Sequence, residues 1–147
     1  MPVAVVPGVT AAQAVASLAG APLGHDYVML SLSDRLKPWD VIARRLEAAA
    51  AGDFAIAIYN PASQSRRQQL ADARALLLAH RDADTPVVVG RNVGRPGEEL
   101  SVTTLADLDA AAVDMNTLLI IGSSATRVFD QGGRAAVFTP RHYGPGS

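Results

Sequence analysis

Short apolar runs alternate with amphipathic stretches along most of the chain. Val3 to Val6 is β-branched and stops at Pro7-Gly8, which predicts a strand closing in a turn. Thr10 to Ala19 predicts a helix: Thr10 caps it, and Gln13 completes a capping box. Tyr27 to Leu32 predicts a second strand. Pro38 suits the first position of the next helix, because the N–H it lacks would have no partner there. In that helix Trp39, Ile42, Leu46 and Ala49 recur at spacings of 3, 4 and 3 and share a face, with Arg44, Arg45 and Glu47 turned away.

Phe54 to Tyr59 is short and continuously apolar, as a strand covered on both faces should be, and Asn60-Pro61 stops it. A helix is predicted from about Ser63 to His80, with Leu70, Ala73 and Leu77 as its buried stripe. Pro86 to Val89 predicts another buried strand ending at Gly90, and Glu99 to Thr103 a strand after the Arg95-Pro96-Gly97 turn. Leu105 to Ala112 predicts a short helix and Leu118 to Ile121 the last strong strand. After Phe129 the chain is rich in glycine and proline, and no element is predicted. Strands alternating with helices imply an α/β layered domain with a mixed, largely parallel sheet flanked by helices. Ligands of such sheets sit outside the carboxyl ends of the strands, where this chain places Gly, Pro or Asn. A strand this close to Met1 leaves no lead-in, so the chain reads as one α/β domain, 1–147, cut from a longer protein.

Composition narrows the classes. Of 147 residues, 49 % are hydrophobic and 18 % charged, which suits one buried core and excludes a disordered chain. A net charge of −1 leaves no basic footprint for nucleic acid or an anionic membrane. No apolar run approaches the roughly 18 residues of a bilayer span, and no basic region opens the chain as a secretory signal would. Cysteine is absent, which removes disulfides and thiolate sites and fits a reducing cytoplasm. His25, His80 and His142 lack metal-binding spacing, and no metal is expected.

Three strand-end segments are candidates for chemistry. Pro7-Gly8-Val9-Thr10-Ala11 runs into a helix N-terminus, whose free N–H groups suit a carboxylate or a polar cofactor edge. The plainer reading is an ordinary strand-to-helix turn. Tyr59-Asn60-Pro61 closes a buried strand, and Asn60 offers the donor and acceptor that a base or ribose edge needs. A turn with a tyrosine at its rim accounts for it as well. Gly90-Arg91-Asn92-Val93-Gly94-Arg95 combines close backbone approach with two arginines suited to carboxylates, or is a solvated loop. No G-x-G-x-x-G or Walker sequence is present, and Ser123-Ser124 lacks a nucleophile elbow.

Several of these segments recur in one known family. They are Val5 to Ala11; Tyr59-Asn60-Pro61 with Ser63, Ser65, Arg66 and Arg67; Thr85 to Arg95; Thr103-Thr104-Leu105; Val113 to Thr117 running into Ile120 to Ser123; and Thr139 to Tyr143. Together they resemble the tetrapyrrole methylases of cobalamin and sirohaem biosynthesis. The opening motif is family-wide, whereas the Asn60-Pro61 and Asp114-Met115 segments resemble the branch acting at C-17 of precorrin-3B. The resemblance implies a homodimeric two-domain enzyme of which this chain is the C-terminal half, the N-terminal domain being absent. It implies S-adenosylmethionine bound between the domains, and methyl transfer to C-17 of precorrin-3B, a tetrapyrrole corrinoid precursor, with contraction of the macrocycle. Cofactor-binding positions carry over to Thr10, Ala11, Asn60 and Val93, and Arg91, Arg95 and Arg141 become candidates for the substrate's carboxylates. No catalytic residue is assigned, because methyl transfer from a sulfonium needs in-line approach and desolvation more than an acid–base pair. The alternatives are another member, such as a precorrin-4 or precorrin-2 methyltransferase or diphthine synthase, and a non-catalytic α/β ligand-binding or dimerisation module.

Overall fold

The computed structural model describes residues 1–62 and 67–142. The predicted start of the third helix, with Ser63, Ser65 and Arg66, and also Tyr143 lie outside the described residues.

The first helix, α1 (Ala11–Ala19), starts as its capping box predicts. Thr10 Oγ1 accepts the Gln13 N–H at 3.3 Å, and Gln13 Oε1 accepts the Thr10 N–H at 3.5 Å. Gly20 ends the helix and enters β1 (Gly20–Ala21). After β2 (Tyr27–Ser31), α2 (Trp39–Ala51) begins at Pro38 and buries Ile42, Leu46, Ala49 and Ala50. Then come β3 (Ala55–Tyr59), α3 (Gln68–Leu78), β4 (Pro86–Arg91) and β5 (Glu99–Thr104). The described chain continues through β6 (Thr117–Ile121), β7 (Arg127–Asp130) and β8 (Ala135–Phe138).

One five-stranded sheet has the order β2-β3-β6-β4-β5, and β1-β8-β7 form a smaller one. The α/β layering and the mixed, helix-flanked sheet are as predicted, but the parallel share is smaller. In the large sheet only β2 and β3 pair parallel, and β6 runs antiparallel between β3 and β4. A continuously apolar strand reports cover on both faces and carries no information about direction. That cover comes from alternate residues feeding two cores. Ala57, Val88, Leu118 and Ile120 pack with Ala12, Val15, Ala16 and Ala19 of α1. Ile56, Ile58, Val87, Leu119 and Ile121 pack with Ile42 and Leu46 of α2 and Leu70 and Leu77 of α3.

Three expectations change. Val3 to Val6 is not a strand: Val3, Val5 and Val6 are 88, 90 and 86 % exposed and pair with no strand among the described residues. β-Branching makes a run ready for a sheet, but another segment must supply the edge it joins. The helix expected over 105–112 is reduced to a 3-10 turn at Ala110–Ala112. The Leu105 and Ala106 N–H groups donate to the Thr85 and Ala83 carbonyls and hold this segment across to 83–85, and Asp109 caps the short turn by accepting the Ala111 N–H. Beyond Phe129, Gly132 and Gly133 sit at φ 65° and 85° and form the two-residue turn of the β7–β8 hairpin. No helix among the described residues is long and apolar enough to cross a membrane.

Candidate functional site

Because β6 is antiparallel, its amino end lies beside the carboxyl ends of β3 and β4. There, at the first turn of α1, is a cleft of about 200 Å³. Ala11 and Val15 come from α1, Tyr59 and Asn60 from the end of β3, and Gly90, Asn92, Val93 and Arg95 from the end of β4 and its turn. Met115 to Leu118 close it from the approach to β6.

Of the residues expected at a cofactor, Ala11, Asn60 and Val93 therefore meet in one place. Thr10 adjoins them as the α1 N-cap, its hydroxyl occupied by the Gln13 N–H. Arg95 lines the cleft, and its guanidinium has no partner among the described residues. Arg91 stands at the same strand end but is engaged: its Nε donates to Asp114 at 2.9 Å, and its Nη1 is 3.8 Å from Glu99. Arg141 is not brought here; its Nε donates to the Gly24 carbonyl at 3.2 Å. Met115, Asn116 and Thr117 are cleft residues to which the sequence reading gave no role. Their turn before an apolar strand was visible in the sequence. What hid their place was strand direction, since a parallel β6 would have brought Ser123-Ser124 to this end.

The free N–H groups expected at the helix start are fewer than the motif suggested. The Ala12 N–H donates to the Tyr59 hydroxyl at 2.9 Å and the Gln13 N–H to Thr10. The Ala11 N–H is left with no acceptor among the described residues. Asn60 and Asn92 are left-handed, at φ 49° and 51°, a conformation asparagine tolerates better than most side chains. Asn60 Nδ2 donates to Ser31 Oγ at 3.1 Å, tying β3 to β2, and leaves the amide oxygen and the second amide N–H available to a ligand.

At the cleft rim, partial desolvation raises the Asp114 pKa. The Thr117 hydroxyl, the Asn116 N–H and the Arg91 guanidinium outweigh it and hold the carboxyl below its usual value. A depressed carboxylate pKa contributes stability that is present above the unfolded value of about 3.9 and lost as pH falls through the folded one. Asp114→Asn should therefore lower the melting temperature at neutral pH. The difference from wild type should shrink as pH falls through and below about 3.9. Calorimetry across that range checks it, and a gap that stays constant to the acid end contradicts it.

A larger recess of about 530 Å³ lies at the other end of the same strands. Some of its polar groups are bonded, while the buried Arg81 Nε has no partner among the described residues. Buried Arg81 donates to the Phe54 and Gly122 carbonyls. Asp53 accepts the Ser124 N–H at 2.8 Å, and the Thr126 and Thr139 hydroxyls lie 2.8 Å apart. This is a staple joining β3, β6 and β8, with Ser123-Ser124 inside it.

The profile of the family described as Tetrapyrrole (Corrin/Porphyrin) Methylases matches residues 1–109. The chain belongs to that family. It is 60 % identical over 145 residues to the cobalamin biosynthesis protein CobIJ of Mycobacterium tuberculosis, covering 96 % of this chain and 28 % of that protein. It is 51 % identical over 140 residues to precorrin-3B C(17)-methyltransferase of a Sinorhizobium species, covering 95 % and 55 %. Among solved structures, the methyltransferase CobJ superposes with a TM-score of 0.83 at 41 % identity, over 91 % of this chain and 54 % of that one. Uroporphyrin-III C-methyltransferase from Thermus thermophilus, complexed with S-adenosylhomocysteine, superposes with a TM-score of 0.52 at 26 % identity, over 82 % and 52 %. The chain thus spans about half, or less, of the length of these relatives.

Proposed function

We propose that the chain is the C-terminal domain of a two-domain methyltransferase that uses S-adenosylmethionine to methylate C-17 of precorrin-3B, with contraction of the macrocycle. The observation that carries this is the cleft: Ala11, Asn60 and Val93, distant in sequence, meet where the strands end. The 51 % identity to a precorrin-3B enzyme supports the substrate. The size of the cleft supports a divided site, since about 200 Å³ falls short of the roughly 300–1,000 Å³ of a complete small-molecule pocket. The residues fit an adenosyl ligand. The Ala11 N–H and the Asn60 amide oxygen supply a donor and an acceptor, and Val93 and Met115 supply apolar surface. When bound, the sulfonium supplies the methyl group. This chain's part is to hold the ligand's polar edges, exclude water on one side and present Arg95 to a substrate carboxylate. In the same reading the enzyme works in the cytoplasm as a homodimer, and the missing domain covers the exposed valines at the start of the chain.

Isothermal titration with S-adenosylhomocysteine tests the division of the site. The 147-residue chain should bind about a hundredfold or more weaker than the two-domain protein, a loss of about 2.7 kcal/mol, and should turn over no precorrin-3B. Turnover by the chain alone overturns the proposal; so does the absence of any binding at millimolar ligand, which is the result a non-catalytic module would give. In the two-domain protein, Arg95→Ala should raise the KM for precorrin-3B about tenfold and leave kcat nearly unchanged, the loss of one charge-assisted contact. An unchanged KM assigns Arg95 to the solvated surface.

A further inference from the structure

Tyr59 holds a place that strand geometry alone does not require. It is the last residue of β3, and its ring packs against the core under α1 rather than the one under α2 and α3. Its hydroxyl reaches the Ala12 N–H at 2.9 Å, across 47 residues of sequence. Ala12 is fully buried, so water cannot replace the phenol oxygen as its acceptor. Thr10 satisfies the next N–H along, that of Gln13. The first turn of α1 is therefore pinned at two of its amides, and the Ala11 N–H, which has no acceptor among the described residues, belongs to a residue that lines the cleft.

We propose that Tyr59 is a positioning residue: its hydroxyl fixes the first turn of α1 against the end of β3, and so aims the Ala11 N–H at an acceptor atom of the bound adenosyl ligand. This deepens the reading of the cleft as half of an S-adenosylmethionine site and rests on it. The phenol also works by exclusion. With its N–H bonded to Tyr59, Ala12 offers the ligand no competing donor, so a single amide direction remains. A hydroxyl that accepts one N–H keeps its own proton, and that proton has no acceptor among the described residues, so the pin stands without a third protein group.

The experiment is a titration of the ¹⁵N-labelled 147-residue chain with S-adenosylhomocysteine, in wild type and in Tyr59→Phe. In wild type the Ala11 amide should shift strongly with ligand while the Ala12 amide, already bonded, moves little. In Tyr59→Phe the Ala12 amide should lose its hydrogen-bonded shift, and the dissociation constant should rise about tenfold, the loss expected when an oriented contact is released. A merely structural tyrosine would lower the melting temperature and leave the affinity within twofold. That result overturns the inference, and so does a wild-type titration that moves Asn60 and Val93 but not Ala11; in both cases the cleft reading stands. The second result needs no variant, so a Tyr59→Phe chain that fails to fold does not rescue the idea. If no resonance of the cleft responds to the ligand, the cleft reading falls and this inference falls with it.

Discussion

Gly20→Ala should lower the stability of the domain by about 3 kcal/mol or more, a fall in melting temperature on the order of 10 °C for a chain of this size. Two effects add. Gly20 closes α1 at φ 124° and ψ −111°, a region that only glycine enters without strain of about 1–3 kcal/mol. A Cβ built there would also stand 2.7 Å from the Val137 carbonyl oxygen, a backbone atom that cannot rotate away. Val137 is the register partner of Gly20 in the pairing of β1 with β8, so the strain falls on the contact that holds the small sheet to α1. Gly133→Ala separates the two effects. Gly133 has φ 85° but nothing within 4 Å of its Cβ position, so that variant should cost only about 1 kcal/mol. Thermal unfolding followed by circular dichroism decides. Equal losses for the two variants would show that the close approach to β8 contributes nothing.

Gly90→Ala should damage fold and site together. A Cβ at Gly90 would lie 2.5 Å from Val15 Cγ2 and 2.8 Å from Cγ1. Valine is stiff at χ1, and its own Cβ is only 3.2 Å away, so α1 must lift off β4. Overpacking of this kind costs about 1–3 kcal/mol. Gly90 and Val15 both line the cleft, so the shift also moves the wall that carries Ala11. The variant should lose stability in urea and bind S-adenosylhomocysteine more weakly. Adding Val15→Ala removes both clashing methyls, so the double variant should be more stable than the sum of the single losses predicts, by about 1 kcal/mol. Simple additivity would mean that Gly90 is not there to admit Val15.

Much of the local structure was legible because it obeys short-range rules. Thr10 and Gln13 sit at capping-box spacing, and the box forms. Ile42, Leu46 and Ala49 recur at helical period and are buried, as are Leu70, Ala73 and Leu77. The strand-end segments at Tyr59-Asn60 and Gly90 to Arg95 were also visible, and they do converge. The misses share a cause. Whether Val3 to Val6 finds a sheet edge, and whether the segment at Leu105 is held across to Thr85, depends on what lies opposite, which no local window contains.

The sequence by itself determined α1 to α3 and the strands β2 to β6, the helix faces that are buried and the polar residues that stand at strand ends. Periodicity, caps and breakers act within a few residues, so the chain carries them openly. Only the tertiary structure decided the direction of β6, because an apolar run covered on both faces reads the same either way. That one choice put Met115 to Leu118 at the cleft and sent Ser123-Ser124 to the far end with Arg81. It was also tertiary structure that divided the arginines, leaving Arg95 at the cleft with no partner among the described residues, pairing Arg91 with Asp114 and placing Arg141 against Gly24. An arginine's partner is set by which carboxylate or carbonyl folding brings within about 3 Å, and for Arg91 and Arg141 that group lies many residues away in sequence.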